Sequence, residues 1–550
     1  MARTVIAGGT VVDGTGAAPV RADVAVEGDR IVEVGPELRG ADTVDASGRV
    51  VAPGFLDVHT HYDAQLCWDR LATPSMEHGV TTVVIGNCSL SLAPVSRAGR
   101  GKLVAMFEQI EDIRASDFEA GVPWGWEETP EYLRFLADGL GPNVAALVGH
   151  STLRHHVMGA ASQERAATPA EVDTLCALLA RAVRGGACGI SFSWLDVDEH
   201  LRPAPSRLAA PPERLALARA LRAAGGRIIQ GVPNFMDLSQ QVHALAELAA
   251  ISRDADITVT FGPVIDVPQV PALLRDTLAT MDAENALGAR LRGQTCPRPF
   301  DLNLRLDAAS FVLFVLPGWM EVMRLPLPNR MAAMNDPAVR TRLIFEGMLI
   351  APLLEYAVMG EVHSEVNAPL AGRRLADVAR ERNQMISQTL LEIALADGLR
   401  TEFRIVGAWH ADEAVVARLM ERPGMLVGVS DAGAHYAQFC GAGDTTLLLE
   451  RFVRQRGDFT LERAVELVTS RPADAFGIAG RGRVRAGNFA DLVLLDPATV
   501  ARGPEEQAHD LPGGRARYVH HARGLDDVMV NGRWVIRQGT YTQERPGRVV

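Results

Sequence analysis

The chain has 550 residues, of which 47% are hydrophobic and 22% charged, and its formal net charge is −12 at pH 7. This composition excludes general disorder, and it argues against a nucleic-acid or anionic-membrane surface because phosphate binding needs clustered Lys and Arg. The length exceeds a usual core of roughly 100–200 residues, but a β/α barrel of about 250 residues or more, with insertions and a companion domain, accounts for it. We therefore expect two structural units.

The sequence carries no targeting or membrane signal that we can identify. No apolar run approaches the ~20 residues that span a bilayer, and the N-terminal residues lack a basic region followed by an apolar core. The six cysteines are too sparse for a disulfide framework, and none forms a CxxC pair. We expect a soluble, cytoplasmic protein with reduced thiols.

Both ends of the chain have the pattern of small β-sheets. Residues 1–50 alternate β-branched runs with Gly and Asp turns, and the last residues repeat this texture with Asn-Gly, Gly and Pro turns. Because the ends of a domain often lie close together, we predict that residues 1–53 and 484–550 form one β-sandwich.

Between these ends, residues 54–483 alternate apolar runs with amphipathic stretches, which is the pattern of parallel strands covered by helices. The helical stretch PAEVDTLCALLARAVRGG is typical, since Pro begins it and Gly-Gly ends it. Eight strand candidates lie near residues 54–61, 81–89, 143–152, 187–194, 226–233, 257–264, 289–296 and 426–435. Eight such units predict an α/β fold of the TIM-type (β/α)8 class.

The connection before the eighth strand, about residues 297–425, is far longer than the usual 2–6 residues of a βα loop. We predict that this segment forms an inserted subdomain that covers the active site. Its apolar part, SFVLFVLPGWMEVMRLPLP, has two interpretations: it forms a substrate-facing wall, or it packs the insert against the barrel.

The polar residues that close the strands carry the chemistry, because barrel enzymes work at the C-terminal ends of their strands. Strand one ends in Asp-Val-His59-Thr-His61, and alternation places both histidines on one face, where imidazoles can bind a divalent cation such as zinc. Strand eight ends near Asp431, whose carboxylate can act as general acid/base beside a metal and its water. The alternative is an Asp that caps the next helix.

Four segments together carry a resemblance to a known family: GFLDVHTHYDAQLCWDRLATPSMEHGVTTVVIGNCSLSLAPV, PWGWEETPEYL, GHSTLR and RVRAGNFADLVLLDP. The sequence resembles the amidohydrolase superfamily, specifically its N-acyl-D-amino-acid deacylase (D-aminoacylase) branch, over nearly the whole chain and least in the insert. The resemblance implies a TIM barrel with a β-sandwich from both termini. It also implies four metal ligands, His59, His61, Cys88 and Asp431.

The chain departs from that family at strands five and six, where the family usually has histidines. Gln230 or Gly231 stands near the first position, and Gly262 or Pro263 near the second. None of these replaces imidazole as a strong zinc ligand. We therefore expect one ion, Zn²⁺ or another divalent metal, rather than two; the alternative is that metal affinity is lost and the chemistry has changed.

Four further residues are candidates for the site. His150, at the end of strand three, is predicted to be catalytic as an oxyanion donor or an extra ligand, unless it only holds the neighbouring loop. His435 is placed to orient Asp431 or meet the substrate. Arg154 and Arg298 follow strand ends and are predicted to bind a substrate carboxylate through their two-pronged guanidinium, with structural roles as the alternative.

The predicted function is metal-dependent hydrolysis of an amide-type C–N bond of a small molecule, an N-acyl amino acid or related amide, by metal-activated water. One alternative keeps the metal and cleaves a cyclic amide, an ester or a C–C bond. Another is a non-catalytic descendant that binds a small molecule. The expected partner is a small-molecule substrate, with no nucleic acid and no membrane, and a homo-oligomer is left open.

Overall fold

The computed structural model describes residues 3–308, 310–313, 315–436 and 438–550. The N-terminal segment forms strands β1 Arg3–Ala7, β2 Thr10–Val11, β3 Val20–Arg21, β4 Asp23–Glu27, β5 Arg30–Gly35, β6 Asp42–Asp45 and β7 Val50–Pro53. The next segment contributes β8 Phe55–Asp57, β9 Val80–Ile85, β10 Asn143–Gly149, β11 Gly189–Ser193, β12 Ile228–Val232, β13 Thr258–Phe261 and β14 Leu291–Thr295. The remaining strands are β15 Leu302–Leu304, β16 Ala357–Met359, β17 Phe403–Ile405, β18 Met425–Val427, β19 Leu492–Leu495, β20 Ala501–Ala508, β21 Arg517–Arg523, β22 Leu525–Val530, β23 Arg533–Arg537 and β24 Thr540–Tyr541.

The α-helices lie between these strands. The first eight are α1 Arg100–Glu111, α2 Ala115–Gly121, α3 Thr129–Ala137, α4 His150–Met158, α5 Pro169–Arg184, α6 Pro211–Ala223, α7 Leu238–Ala255 and α8 Pro271–Ala286. The others are α9 Pro317–Met323, α10 Leu327–Asn335, α11 Pro337–Gly347, α12 Ala351–Leu354, α13 Leu375–Glu381, α14 Ile386–Ala396, α15 Glu413–Glu421, α16 Asp444–Leu447, α17 Leu461–Val468 and α18 Ser470–Phe476. Within the described ranges, none of the helices combines the length and hydropathy needed to cross a membrane.

The central sheet is the predicted barrel. Strands β8, β9, β10, β11, β12, β13, β14 and β18 are neighbours in that order, and each adjacent pair is parallel. A parallel bridge between Thr60 and Ala432 joins the first strand to the last and closes the sheet. The eight strand candidates and the TIM-type fold are thereby confirmed.

The helices follow from the local sequence, as α5 shows. Thr168 and Glu171 form a reciprocal capping box at its start, with Pro at the first helical turn. Its buried residues Leu175, Leu179 and Ala182 are spaced by three and four, so one face packs on the barrel.

Both ends of the chain build a β-sandwich, as predicted. One sheet has the strand order β5-β4-β1-β6, and the other has β24-β23-β22-β19-β7-β2-β3. The pairing of β7 with β19 joins the two chain ends, and residues such as Ile6, Val24, Leu492 and Leu494 are buried in the shared core. The boundaries 1–53, 54–483 and 484–550 themselves stay a prediction.

The C-terminal segment contains a hairpin that the sequence did not distinguish from the sandwich. Among the described residues, strands β20 and β21 pair only with each other and belong to neither sandwich sheet. The backbone N–H of Tyr518 donates to the carbonyl of Tyr436, and Glu505 forms an ion pair with Arg404 of the insert. The hairpin therefore lies against the barrel and the insert.

The insert is a subdomain with its own core, located before the last barrel strand. Its three strands pair in the order β15-β17-β16, and its cluster includes Leu316, Trp319 and Val322 from the apolar segment. Phe235 and Ile265, from loops that follow barrel strands, belong to the same cluster. These apolar residues thus belong to a core that the insert shares with loops at the C-terminal ends of the barrel strands.

We predict that Leu494→Ala destabilises the protein by about 2–5 kcal/mol, because it leaves a cavity in a fully buried part of the sandwich core. Urea unfolding followed by circular dichroism measures the change. Val20→Ala is the control, since Val20 is 61% exposed. Equal midpoints for the two variants would contradict a shared core built from both chain ends.

Candidate metal centre

Three donor atoms meet at the C-terminal ends of the first two barrel strands. The ligand atoms of His59, His61 and Cys88 all lie within 4.8 Å of one another. Cys88 Sγ is 3.3 Å from His59 Nε2 and 3.8 Å from His61 Nε2. The structure thus brings together the predicted histidine pair and the predicted cysteine.

Asp431 reaches the same histidines from the loop after β18. Its Oδ1 lies 3.3 Å from His59 Nε2 and 3.6 Å from His61 Nε2, and the residue is 8% exposed. Burial alone would raise the pKa of this carboxyl, but the hydrogen bond from His61 and the nearby charge of His59 hold it below its usual range. Asp431 is therefore ionised at neutral pH.

The donor set fits a divalent ion. A tetrahedral zinc with bonds of about 2.0–2.3 Å to nitrogen, oxygen and sulfur separates its ligand atoms by roughly 3.3–3.8 Å. The separations of Cys88 Sγ and Asp431 Oδ1 from the two imidazole Nε2 atoms, 3.3, 3.8, 3.3 and 3.6 Å, fall in that range, while only His59, His61 and Cys88 form a group in which all donor atoms lie within 4.8 Å of one another. Imidazole, thiolate and carboxylate are each ligands that zinc accepts in proteins.

Outer residues orient both imidazoles toward the cluster. His59 Nδ1 donates to Oε1 of Gln294 on β14 at 2.7 Å, and His61 Nδ1 lies 3.3 Å from Glu111 Oε1. With Nδ1 of each ring directed at an outer oxygen, Nε2 of each ring faces Cys88 and Asp431. This arrangement, in which an outer acceptor holds a ligating histidine, is usual at metal sites.

Glu111 is a site residue that the sequence analysis missed. It ends α1, is 1% exposed, and its Oε1 makes no hydrogen bond with any described residue. Burial raises its pKa to about 8, although the charge of His61 opposes the shift. The helix pattern could have indicated this residue. Leu103, Phe107 and Glu111 share one buried face of α1, so Glu111 places a carboxylate where the pattern predicts an apolar side chain.

The backbone at the cluster adopts unusual conformations. Cys88 and Asp431 both have φ of 53°, in the left-handed region that residues other than glycine rarely occupy. The N–H of Cys88 donates to Gln230 Oε1 at 3.1 Å, which helps to hold the turn. Such strain is concentrated at functional sites, where the surrounding structure maintains it.

Strands five and six place uncharged polar side chains near the cluster. Gln230 on β12 accepts from the Cys88 backbone, and its Nε2 is buried without a hydrogen-bond partner among the described residues. Thr260 on β13 accepts a hydrogen bond from Gln294 Nε2 at 3.2 Å. The amide and the hydroxyl support the residues around His59 and Cys88, and neither strand supplies an imidazole.

The structure does not bring His150 and Arg154 to the cluster. Both ring nitrogens of the fully buried His150 are engaged, Nδ1 with Ser206 Oγ at 3.0 Å and Nε2 with Glu213 Oε1 at 2.9 Å. Arg154 forms an ion pair with the same Glu213 and donates to the carbonyl of Arg165. Both predicted site residues on α4 thus bind Glu213 of α6, and these buried contacts hold the two helices together.

Arg298 is likewise engaged within the protein, although it is close to the centre. Its Nη2 donates to the carbonyls of Val429 and Ser430, and its Nε lies 3.3 Å from Asp444. These contacts fix the turn that carries Asp431. Arg298 therefore acts on the position of that turn rather than on a substrate carboxylate.

His435 lies beside the cluster and is partly exposed, with its Nδ1 3.3 Å from Gln438 Nε2. Its side chain is 21% exposed, its ring centroid is 6.4 Å from that of His61, and its Nε2 is 3.7 Å from Glu111 Oε2. Burial lowers its pKa to about 4, so the imidazole is neutral at pH 7. A neutral imidazole at this position can donate one hydrogen bond to a bound molecule.

The chain is similar to known proteins over nearly its whole length. The model of the family described as "Amidohydrolase family" matches residues 42–536. A D-aminoacylase of Alcaligenes xylosoxydans xylosoxydans is 31% identical over 552 residues, covering 99% of this chain and 96% of the relative.

Two solved structures are similar over the full length. A D-aminoacylase described by its binuclear metal centre has a TM-score of 0.70 and 28% identity, covering 99% of this chain and 98% of the other. The N-acyl-D-glutamate deacylase of Bordetella bronchiseptica, solved with zinc and a phosphonate inhibitor, has a TM-score of 0.69 and 27% identity at the same coverage.

Glu111→Gln should lower the affinity for a divalent metal by about 10–100-fold, because the amide cannot stabilise His61 as the carboxylate does. Competition with a chromogenic chelator measures this affinity. Glu119→Gln is the control, since Glu119 is exposed on α2. An unchanged affinity in Glu111→Gln would remove Glu111 from the centre.

Glu213→Gln should destabilise the protein by about 3–5 kcal/mol at pH 7, because Arg154 is left buried without its counter-charge. Burial raises the pKa of Glu213, but His150 and Arg154 together lower it from 4.5 to about 2. The stabilisation from a depressed carboxyl pKa is complete above 4.5 and is lost as the pH falls toward 2. The difference from the wild type should therefore shrink across that window.

Denaturant titrations at pH 7 and at pH 3.5 measure this change. Glu164→Gln, at an exposed position, serves as the control and should match the wild type at both pH values. A destabilisation of Glu213→Gln that is the same at both pH values would contradict the assignment.

Proposed function

The chain belongs to the amidohydrolase family, and from that premise we propose that it hydrolyses the amide bond of an N-acyl amino acid. It is a metal-dependent hydrolase of carbon–nitrogen bonds. The observation that carries the proposal is the meeting of His59, His61 and Cys88, whose donor atoms lie within 4.8 Å of one another, with Asp431 Oδ1 at 3.3 and 3.6 Å from the two imidazoles. A single zinc ion is the proposed occupant, since strands five and six offer no imidazole.

A bound divalent ion would lower the pKa of a water molecule toward about 7 and polarise the amide carbonyl. The rest of the chemistry belongs to side chains. Asp431 is ionised and lies beside both histidines, so its carboxylate can accept a proton from the attacking water. The same group then delivers that proton to the departing nitrogen.

His435 has the second role in this proposal. Its neutral ring lies 6.4 Å from that of His61, between centroids, and would donate a hydrogen bond to the carbonyl oxygen as negative charge develops there. Gln294 accepts a hydrogen bond from His59 Nδ1, and Glu111 Oε1 lies 3.3 Å from His61 Nδ1, so these two oxygens would favour a proton on each Nδ1 and leave each Nε2 for the ion. Arg298 positions the turn of Asp431.

The proposed substrate class follows the relatives, which are named as deacylases of N-acyl-D-amino acids. The rival class of cyclic amides, esters and ketone-adjacent C–C bonds is tested beside it, because strands five and six differ from the family pattern. A cytoplasmic location and a homo-oligomer stay predictions from the sequence.

Removal of metal by a chelator should abolish hydrolysis of N-acyl-D-amino acids, and readdition of zinc should restore it. His59→Ala should reduce kcat/KM by more than the roughly 10–100-fold that loss of an outer-shell partner causes, because it removes a ligand. Turnover is followed by release of the free amino group, and metal content by mass spectrometry.

His243→Ala is the matched control, since His243 is exposed on α7. N-acetyl-L-amino acids, a hydantoin and a lactone are assayed in parallel. Purified protein without stoichiometric metal, together with unchanged turnover in His59→Ala, would refute the metal mechanism. Turnover of the hydantoin or the lactone alone would favour the rival class.

A further inference from the structure

A cleft of about 1140 Å³ lies where three parts of the chain meet: the insert, the connection from α1 to α2, and the turn of the β20–β21 hairpin. None of the four proposed metal ligands lines it, so the cleft is distinct from the metal centre. Its charged lining consists of six arginines and three glutamates, apart from histidines. Such a surplus of cations is unexpected in a chain whose net charge is −12.

The arginines of the cleft differ in how they are neutralised. Three of them have a carboxylate partner at 2.5–2.8 Å: Arg305 with Asp307, Arg404 with Glu505, and Arg517 with Asp510. Arg114 comes no closer than 3.5 Å to a carboxylate, and the exposed Arg400 donates to a backbone carbonyl. Arg515 forms neither a hydrogen bond nor an ion pair with any described residue. Arg515 is therefore the guanidinium group of the cleft whose donors lack an acceptor.

The backbone is held in place on both sides of Arg515. The N–H of Gly513 donates to Asp117 Oδ1 at 3.0 Å, and the N–H of Tyr518 donates to the carbonyl of Tyr436 at 3.2 Å. Nη1 of Arg515 is buried although it has no acceptor. An anchored turn thus keeps a charged hydrogen-bond donor away from water, and a donor that is buried without a partner costs free energy.

The surroundings of Arg515 disfavour its positive charge. Burial lowers the pKa of Arg515, and the charges of Arg114 and Arg305 act in the same direction. Asp112 and Asp117 oppose this shift, but neither of them forms an ion pair with Arg515. The three guanidinium groups therefore lie within electrostatic reach of one another, and an anion that binds between them would recover the cost of burying an unpaired cation.

The glutamates of the cleft do not supply this anion. Glu402 is buried and accepts hydrogen bonds from Asn303 and Tyr518, and burial raises its pKa, which favours the neutral acid. The side chain of Glu361 is 68% exposed, and it lies 3.7 Å from His363. The third, Glu108, is the carboxylate beside Arg114. The charge of Arg515 is thus left for a ligand.

A phosphate group suits three guanidinium groups from separate segments. A carboxylate has two oxygens in one plane and matches a single guanidinium, whereas a phosphate monoester carries about −1.5 to −2 charges and three oxygens that accept from several directions. The cleft is larger than one phosphate and is comparable to sites that hold small organic molecules, roughly 300–1,000 Å³. Tyr436 and Tyr518 line it and offer an aromatic surface to an organic group.

We propose that this cleft binds the phosphate group of a small phosphorylated molecule, which Arg515 holds together with Arg114 and Arg305. The site is separate from the metal centre, and its ligand is not the substrate of the proposed hydrolysis. The inference therefore goes beyond the proposed function and does not depend on it. Because the three arginines belong to three segments, the ligand would also join the insert, the α1–α2 connection and the hairpin.

Calorimetric titration of inorganic phosphate, phenyl phosphate and benzoate tests this site in zinc-loaded and in metal-free protein. Phenyl phosphate should bind the wild type with or without zinc. Arg515→Gln should weaken this binding by roughly 10–100-fold, because charge-assisted hydrogen bonds are lost, and Arg515→Lys should recover part of the affinity. Equal affinities for the two phosphates would identify free phosphate as sufficient, and tighter binding of phenyl phosphate would identify an organic phosphate.

Thermal unfolding gives a second measurement. Phenyl phosphate should raise the unfolding midpoint of the wild type, because a ligand that binds only the folded state stabilises it, and should not raise that of Arg515→Gln. Without ligand, Arg515→Gln should be at least as stable as the wild type, since it removes an unpaired buried charge. A ligand-free variant that is clearly less stable would show that Arg515 has a structural partner and would overturn the proposal.

Arg400→Gln is the matched control, since Arg400 lines the same cleft but is exposed. It removes the same charge and should leave the Kd for phenyl phosphate little changed. Equal weakening in both variants would indicate a general field effect and overturn the assignment of Arg515. Phosphate binding that requires zinc and survives Arg515→Gln would belong to the metal centre, and this result, tighter binding of benzoate, or no binding at all would likewise overturn the site.

Discussion

Buried negative charge is the constraint on which the centre depends. Asp57, Asp63, Glu111 and Asp431 are all at least nine-tenths buried around the end of strand one. Burial raises the pKa of three of these carboxyls, to about 7, 6 and 8 in chain order, and only Asp431 is held ionised by its histidines. A divalent cation opposes the effect of burial on these pKa values. Its charge stabilises every ionised carboxylate nearby and the unprotonated Nε2 of each ligating histidine.

The turn after strand eight is held in place by contacts with strand one and with Arg298. Asp431 must stay within reach of two imidazoles on a neighbouring strand, although its own backbone is strained. The N–H of Asp431 donates to the carbonyl of His59, the N–H of His61 donates to that of Ala432, and Arg298 holds the preceding turn. Backbone hydrogen bonds and one buried guanidinium thus fix the geometry before any ion binds.

The sequence predicted the features that depend on local pattern. Alternation and turn residues identified eight strands, and the residues that close strands one, two and eight do meet in space. Glu111 and Gln294 were not found from the sequence because their roles arise from tertiary contacts between distant segments. His150 and Arg154 sit at a strand end, as a catalytic residue does, but Glu213 from α6 engages both, and nothing in their own segment reveals that partner.

The closure of the barrel also determines when the centre can form. His59 and Asp431 follow the first and last barrel strands. Strand β7 of the sandwich pairs with β19, which is synthesised after both of them. At about 5–20 residues per second, a ribosome needs roughly 20–75 s to add the residues that separate the two ligands. During that interval the nascent chain displays the histidine pair and Cys88 without their carboxylate partner, so acquisition of the complete ligand set is a late event in the biosynthesis of the protein.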